Sequence, residues 1–266
     1  MRTLHLFAGA GGGLLADLII GHHPVAAVEW DAHCCRVLRQ RAADGWFPGL
    51  HVHEIDARLF DPSEYAGRVD CIHAGWPCTD ISVAGKGAGI DGEASGLWRE
   101  VARIAGVVRP RYLFLENSPA IVTRGLERVL ADLAALGYDA RWRVLSAADV
   151  GAPHERERWW CIAERADADG DFQQSAGQRG RLHHRDEPRD DAGGFCAEIP
   201  DSDGTLPHAA RGWWATEPGL VRVAARVADT AHRLRAIGNG QVPLCAAAAW
   251  IALGGPIGYE HMRTTQ

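Results

Sequence analysis

The chain has 266 residues, 47% hydrophobic and 23% charged, with a formal net charge of −6. That length suits one large domain with a small appendage, and no stretch is long and apolar enough to span a bilayer as a helix. Seven cysteines, an odd number with no C-x-x-C pair, argue against a disulfide framework or a zinc site and point to a reducing cytoplasm.

The apolar run 3–8 flows into Ala8-Gly9-Ala10-Gly11-Gly12-Gly13 and then a helical pattern at 14–21. Strand, glycine turn and helix make a nucleotide-binding opening, because glycines adopt positive φ and let the backbone approach a ligand. A short strand at 25–28 ends in Glu29-Trp30, about 20 positions on, where an acidic residue reaches ribose hydroxyls. After the helical pattern 31–43, the run 50–55 ends at Asp56. A glycine-rich turn alone is as often a tight structural turn. Phe7, Glu29 and Asp56 at three successive strand ends favour the cofactor reading.

The run 69–74 leads into Gly75-Trp76-Pro77-Cys78, and the run 111–116 ends in Glu116-Asn117. A thiol and a carboxyl at the ends of neighbouring strands form a nucleophile and acid pair. A free cysteine titrates at roughly 8.5, so a catalytic one needs cationic neighbours. Asp80 opposes that ionisation. Arg156 and Arg158 supply the charge, since alternation along a strand puts both on one face. In isolation Cys78 reads more simply as small buried filler, and the surrounding motifs reverse that reading.

Helical patterns at 96–108 and 123–136 and apolar runs at 139–145 and 158–163 complete a mostly parallel sheet covered by helices, the last two runs forming an antiparallel edge hairpin. The Gly/Asp/Arg-rich segment 165–211 has little hydrophobic periodicity. Its basic cluster around Arg179, Arg181, Arg185 and Arg189 is diluted by Asp186, Glu187, Asp190 and Asp191, so a solvated loop and a phosphate-binding surface weigh equally. Asp167-Ala168-Asp169-Gly170-Asp171 lacks the distal Glu of a calcium loop and reads as a polar linker. Residues 244–253 predict a closing helix beside the N-terminal strand. Core packing accounts for most of the ten tryptophans.

Together these motifs resemble the DNA (cytosine-5) methyltransferases over most of the chain. The resemblance implies a Rossmann-like S-adenosylmethionine-dependent methyltransferase fold: an α/β catalytic domain over 1–165, a short target-recognition region over 166–212 and a return segment over 213–266. S-adenosyl-L-methionine is the implied cofactor, with Phe7, Gly9, Gly11, Gly12, Glu29, Trp30, Asp56, Pro77, Leu97 and Asn239 around it. Phe7 and Trp30 face the adenine, Glu29 the ribose and Asp56 the adenine amino group. Cys78 is the implied nucleophile toward C6 of an extruded cytosine, Glu116 the acid at N3, Arg158 the contact to O2, and Arg156 the support of the nucleophile loop. Ser82 and Lys86, the chain's one lysine, fall on the loop that closes over the base. Arg179 and Arg181 fall in the recognition region. His5 stands where the family has Asp, Trp76 replaces a Pro, His154 replaces a Gln, and Gly240-Gln241 replaces Ser-Val. The implied partner is double-stranded DNA, bound by a monomer with no metal. An RNA methyltransferase of similar design and a catalytically idle nucleic-acid-binding relative are the alternatives.

Overall fold

The computed structural model describes residues 1–77, 97–166 and 240–258. Seven strands, β1 (Arg2–Leu6), β2 (His23–Glu29), β3 (His51–Glu54), β4 (Cys71–Gly75), β5 (Tyr112–Asn117), β6 (Tyr138–Leu145) and β7 (Arg158–Arg165), form one sheet in the order β3-β2-β1-β4-β5-β7-β6. All pairings are parallel except those of β7, which runs antiparallel to both β5 and β6. The expected hairpin is therefore present, with β6 at the outer edge and β7 tucked inside it.

Helices cover both faces: α1 (Gly12–Ile19), α2 (Ala32–Ala43), α3 (Trp98–Val108), α4 (Ile121–Arg124), α5 (Leu126–Ala135) and α6 (Pro243–Ala252). Along β5 the period of two sends Leu113 and Leu115 into one core with Val101, Ile104 and Val129, and Tyr112 and Phe114 into a second with Ala16, Ile20 and Trp250. Every residue of β5 is buried, as a central strand covered on both faces requires. Each fully buried large apolar side chain contributes about 1.5–3 kcal/mol. The adjacent Trp159 and Trp160 divide between the two cores, Trp160 stacking on Phe114 at 5.4 Å.

Local chemistry explains most boundaries. Asp31 caps α2 by accepting from the Cys34 N–H, and Pro243 starts α6, where its missing N–H costs nothing. The pattern at 123–136 resolves into α4 and α5 because Gly125 interrupts it. The closing helix packs on α1 and the second core. Its alanine-rich run lets the two helices approach closely. Arg156 lies outside β7 with φ 42°, so strand alternation does not bring it beside Arg158. Among the described residues no helix is long and apolar enough to cross a membrane.

Candidate active site

The carboxyl ends of β1, β4 and β5 converge because their registers match, His5 against His73 and Gly75 against Glu116. Alternation puts His5, His73 and Glu116 on the face that α1 and α6 cover. A cavity opens there, lined among others by Phe7, Gly9, Gly13, Gly75, Glu116 and Gln241. Open parallel sheets place ligands at this end.

Glu116 is buried at the end of β5, and Arg158 Nε lies 3.0 Å from its Oε1. The antiparallel course of β7 makes this contact, since it lays the start of one strand against the end of the other. Burial pushes the Glu116 carboxyl above its ordinary pKa, and Arg158, Gln241, Arg156 and His73 pull it back only in part. The result is an acid that retains a proton more readily than an exposed glutamate. Next to it Asn117 donates from Nδ2 to the Trp76 carbonyl at 3.1 Å, while Trp76 packs against Trp98 and Trp159. The last described residues before Cys78 are thus anchored to the strand that carries Glu116.

At the neighbouring end, the Glu29 carboxylate accepts from the backbone N–H groups of Gly9, Trp30 and Asp31 at 2.8–2.9 Å. A carboxylate offers about four lone-pair sites, so one acceptor direction remains for a ligand hydroxyl. Phe7 holds a positive φ of 56°, which costs on the order of 1–3 kcal/mol for a bulky residue and persists where the surroundings fix it. The Trp30 ring is 76% exposed. A Cβ on Gly9 would meet nothing within 4 Å, leaving open space beside an aromatic face, a partly free carboxylate and a cavity. These residues fit an adenosine with a short polar tail.

Other expected contributors lie differently. Asp56 is chelated by Arg58, whose Nε and Nη2 reach both carboxylate oxygens at 2.6–3.1 Å and hold its pKa down. Gly11 and Gly12 serve packing within the protein: a Cβ on Gly11 would press on Leu38, and one on Gly12 would collide with the Gln241 backbone carbonyl. Leu97 takes the N-cap of α3 and is not among the cavity-lining residues. Pro77 is exposed at the end of its described segment. Arg156 Nη2 donates to the Gly240 carbonyl at 2.6 Å, tying the return segment to the site. Cys78, Ser82, Lys86, Arg179, Arg181 and Asn239 lie outside the described residues.

The five thiols among the described residues narrow the choice of nucleophile, leaving Cys78 and Cys196, which both lie outside them. Cys34, Cys35, Cys71, Cys161 and Cys245 are all buried and free. Burial pushes Cys34 and Cys245 up to about 12 and Cys35 to about 11, and lifts Cys71 and Cys161 as well. None is poised to attack. Brief alkylation of the native protein with N-ethylmaleimide is therefore expected to spare these five, and peptide mapping that found them labelled before Cys78 would contradict this.

Four participants are not apparent from sequence. Asn117 was visible only as the neighbour of Glu116, and Gln241 only as a departure from a motif. Asp17 and His73 carried no signal, since a lone Asp in an apolar helix and a lone His in an apolar strand have no pattern of their own. Asp17 accepts from Thr3 Oγ1 and lies 2.8 Å from His5 Nε2, with His73 and His22 Nδ1 at 3.7 and 3.9 Å. Ligand atoms of His5, Asp17 and His73 all fall within 4.8 Å. The 2.8 Å His5–Asp17 separation is that of a hydrogen bond, so Thr3, His5 and Asp17 form a hydrogen-bonded group tying α1 to β1, with His73 and His22 beside it.

Comparison with known proteins places the chain in a family and agrees with its fold. The type II methyltransferase M.CviJI of a Paramecium bursaria Chlorella virus is 35% identical over 62% of this chain and 44% of its own length. M.Eco47II of Escherichia coli is 36% identical over 63% of this chain and 40% of its own. The chain thus spans less than half the length of these two relatives. The structure of Spodoptera frugiperda DNMT2 shares the fold, with a TM-score of 0.51 and 20% identity over 65% of this chain and 52% of that one. A family model described as C-5 cytosine-specific DNA methylase matches residues 1–201, three quarters of the sequence, and the chain belongs to that family.

Proposed function

We propose that this protein transfers a methyl group from S-adenosyl-L-methionine to C5 of a cytosine extruded from double-stranded DNA. The observation that carries the reading is the buried Glu116, inclined to keep a proton, held by Arg158 and followed by Asn117, which anchors Trp76, two residues before Cys78 in sequence.

C5 of cytosine is a weak nucleophile until a group adds at C6. The Cys78 thiolate adds there and the ring's electron density shifts toward N3 and C5. Glu116 donates its proton, or a short hydrogen bond, at N3, which stabilises that charge without water. Arg158 lies beside Glu116, where its guanidinium donates to O2 of the base and offsets the carboxylate once the proton has left. When bound, S-adenosyl-L-methionine supplies an electrophilic methyl on sulfur. Loss of the C5 proton and departure of the Cys78 sulfur then restore aromaticity and the free thiolate. Glu29, with its one spare acceptor, and the open faces of Phe7 and Trp30 hold the adenosine. Extrusion of the base costs a few kcal/mol, so backbone contacts must supply at least that much. With a net charge of −6, phosphate binding falls to local arginines such as Arg179 and Arg181.

Trapping tests the reading. Fluorine at C5 cannot leave as a proton, so duplexes carrying 5-fluorocytosine should remain covalently attached in the presence of S-adenosyl-L-methionine. The adduct is expected on DNA and absent with Cys78→Ser. Adducts on transfer RNA alone would reassign the substrate, and none on either would remove the activity.

A further inference from the structure

We propose that Gln241 is a positioning residue for Glu116: its side-chain amide, seated among three glycines, holds the carboxyl where Arg158 and an extruded base share it. This rests on the reading that Glu116 acts on the base.

Gln241 lies 125 positions from Glu116 in sequence, and its Nε2 donates to Glu116 Oε2 at 3.5 Å while Arg158 engages Oε1 at 3.0 Å. Both carboxyl oxygens therefore have a donor before any substrate arrives. The seat is built by absent side chains. A Cβ on Gly75 would stand 2.6 Å from Glu116 Oε2 and 2.8 Å from Gln241 Nε2, and one on Gly13 would stand 2.7 Å from Gln241 Oε1 and 2.8 Å from the His73 ring. A Cβ on Gly12 would collide with the Gln241 backbone carbonyl. Two glycine turns, at the ends of different strands, thus leave room for this one residue. Arg156 clamps the preceding carbonyl, that of Gly240.

The amide also suits the chemistry. Its two ends are nearly equal in shape, one a donor and the other an acceptor. As placed, Nε2 supports the carboxylate, and Oε1 is buried without a hydrogen-bond partner. Turned over, the carbonyl accepts from a protonated Glu116, so one side chain serves both states of the acid. Among the described residues, the other charged or titratable groups that act on Glu116 are Arg158, Arg156 and His73.

The test needs no activity. In full-length protein carrying carboxyl-labelled ¹³C-glutamate, the Glu116 resonance is assigned by its loss in Glu116→Gln and titrated with pH. Gln241→Leu and Gln241→Met fill the seat without an amide, and in both the Glu116 midpoint is expected to move to higher pH, because a donor favouring the carboxylate is gone. A folded variant with the wild-type midpoint would overturn the proposal. In wild-type protein the ¹⁵N side-chain amide signal of Gln241 must follow that same midpoint, and an indifferent signal overturns the proposal without any variant. The pH profile of kcat should shift with the midpoint at unchanged KM for S-adenosyl-L-methionine, which a merely structural role would not produce. If wild-type protein methylates nothing, the functional reading fails while the two titrations still decide this one.

Discussion

Glu116→Gln is expected to slow methyl transfer by about 10²–10⁴-fold, the usual contribution of a general acid, and at the same time to stabilise the fold at neutral pH. Both effects have one cause. Burial at the end of β5 disfavours the carboxylate more than Arg158 restores it, so the folded-state pKa of Glu116 is raised. A group with a raised pKa gives its full stability below the unfolded value, about 4.3 for Glu, and loses it as pH rises through the folded value. The amide has no charge to bury and escapes that loss. Arg158, left without its partner, is 29% exposed and remains in contact with water. Thermal unfolding of both proteins from pH 4 to pH 8 should give curves that meet in acid and separate as pH rises, with the variant the more stable. Single-turnover transfer to a cytosine duplex reads the rate. A variant less stable at pH 8 would mean that the ion pair outweighs burial. The site would then have been built for strength rather than for proton transfer.

Asp17→Asn is expected to cost about 3–5 kcal/mol at neutral pH, the usual consequence of removing one partner from a buried charged network. Asp17 is buried on α1, in contact with the Thr3 hydroxyl and His5, with His22 and His73 nearby. Burial works against its ionisation, yet His5 and His73 outweigh it, and the carboxyl is held well below its ordinary range. The sign is opposite to that of Glu116. The contribution is complete above the unfolded value, about 3.9 for Asp, and fades as pH falls through the folded one. Urea unfolding should therefore show a large gap between wild type and Asp17→Asn at pH 7 that narrows in acid. Equal stability at pH 7 would mean that the imidazoles are satisfied without the carboxylate. Because α1 follows the glycine turn and Asp17 joins it to β1, weaker binding of S-adenosyl-L-methionine should accompany the loss.

Much of the architecture was legible because it is written in short-range patterns. Alternating helical and apolar segments with turn residues between them led to a mostly parallel sheet. The absence of a helical pattern between 145 and 158 predicted the antiparallel hairpin that brings Arg158 to Glu116. Errors arose where a pattern stopped being local. Arg156 was assigned a strand face, but the chain there turns through a positive φ. Asp56 is another such place: Arg58, two residues away, engages both its oxygens, a contact that the strand-end pattern does not announce. At Gly11 and Gly12 closeness to a ligand and closeness to another part of the chain demand the same missing Cβ, and the second demand is visible only in the fold.

Strand ends, glycine turns and the residues standing on them are properties of neighbours in the chain, and from these the family, the sheet and the acid at 116 could be read. The pairing of Gln241 with Glu116, of Asn117 with the Trp76 carbonyl and of Asp17 with His5 joins residues as many as 125 positions apart. Those contacts depend on which strand ends meet and which helix covers them, and they fix how readily the acid keeps its proton, because that is governed by burial and by the charges that folding brings near.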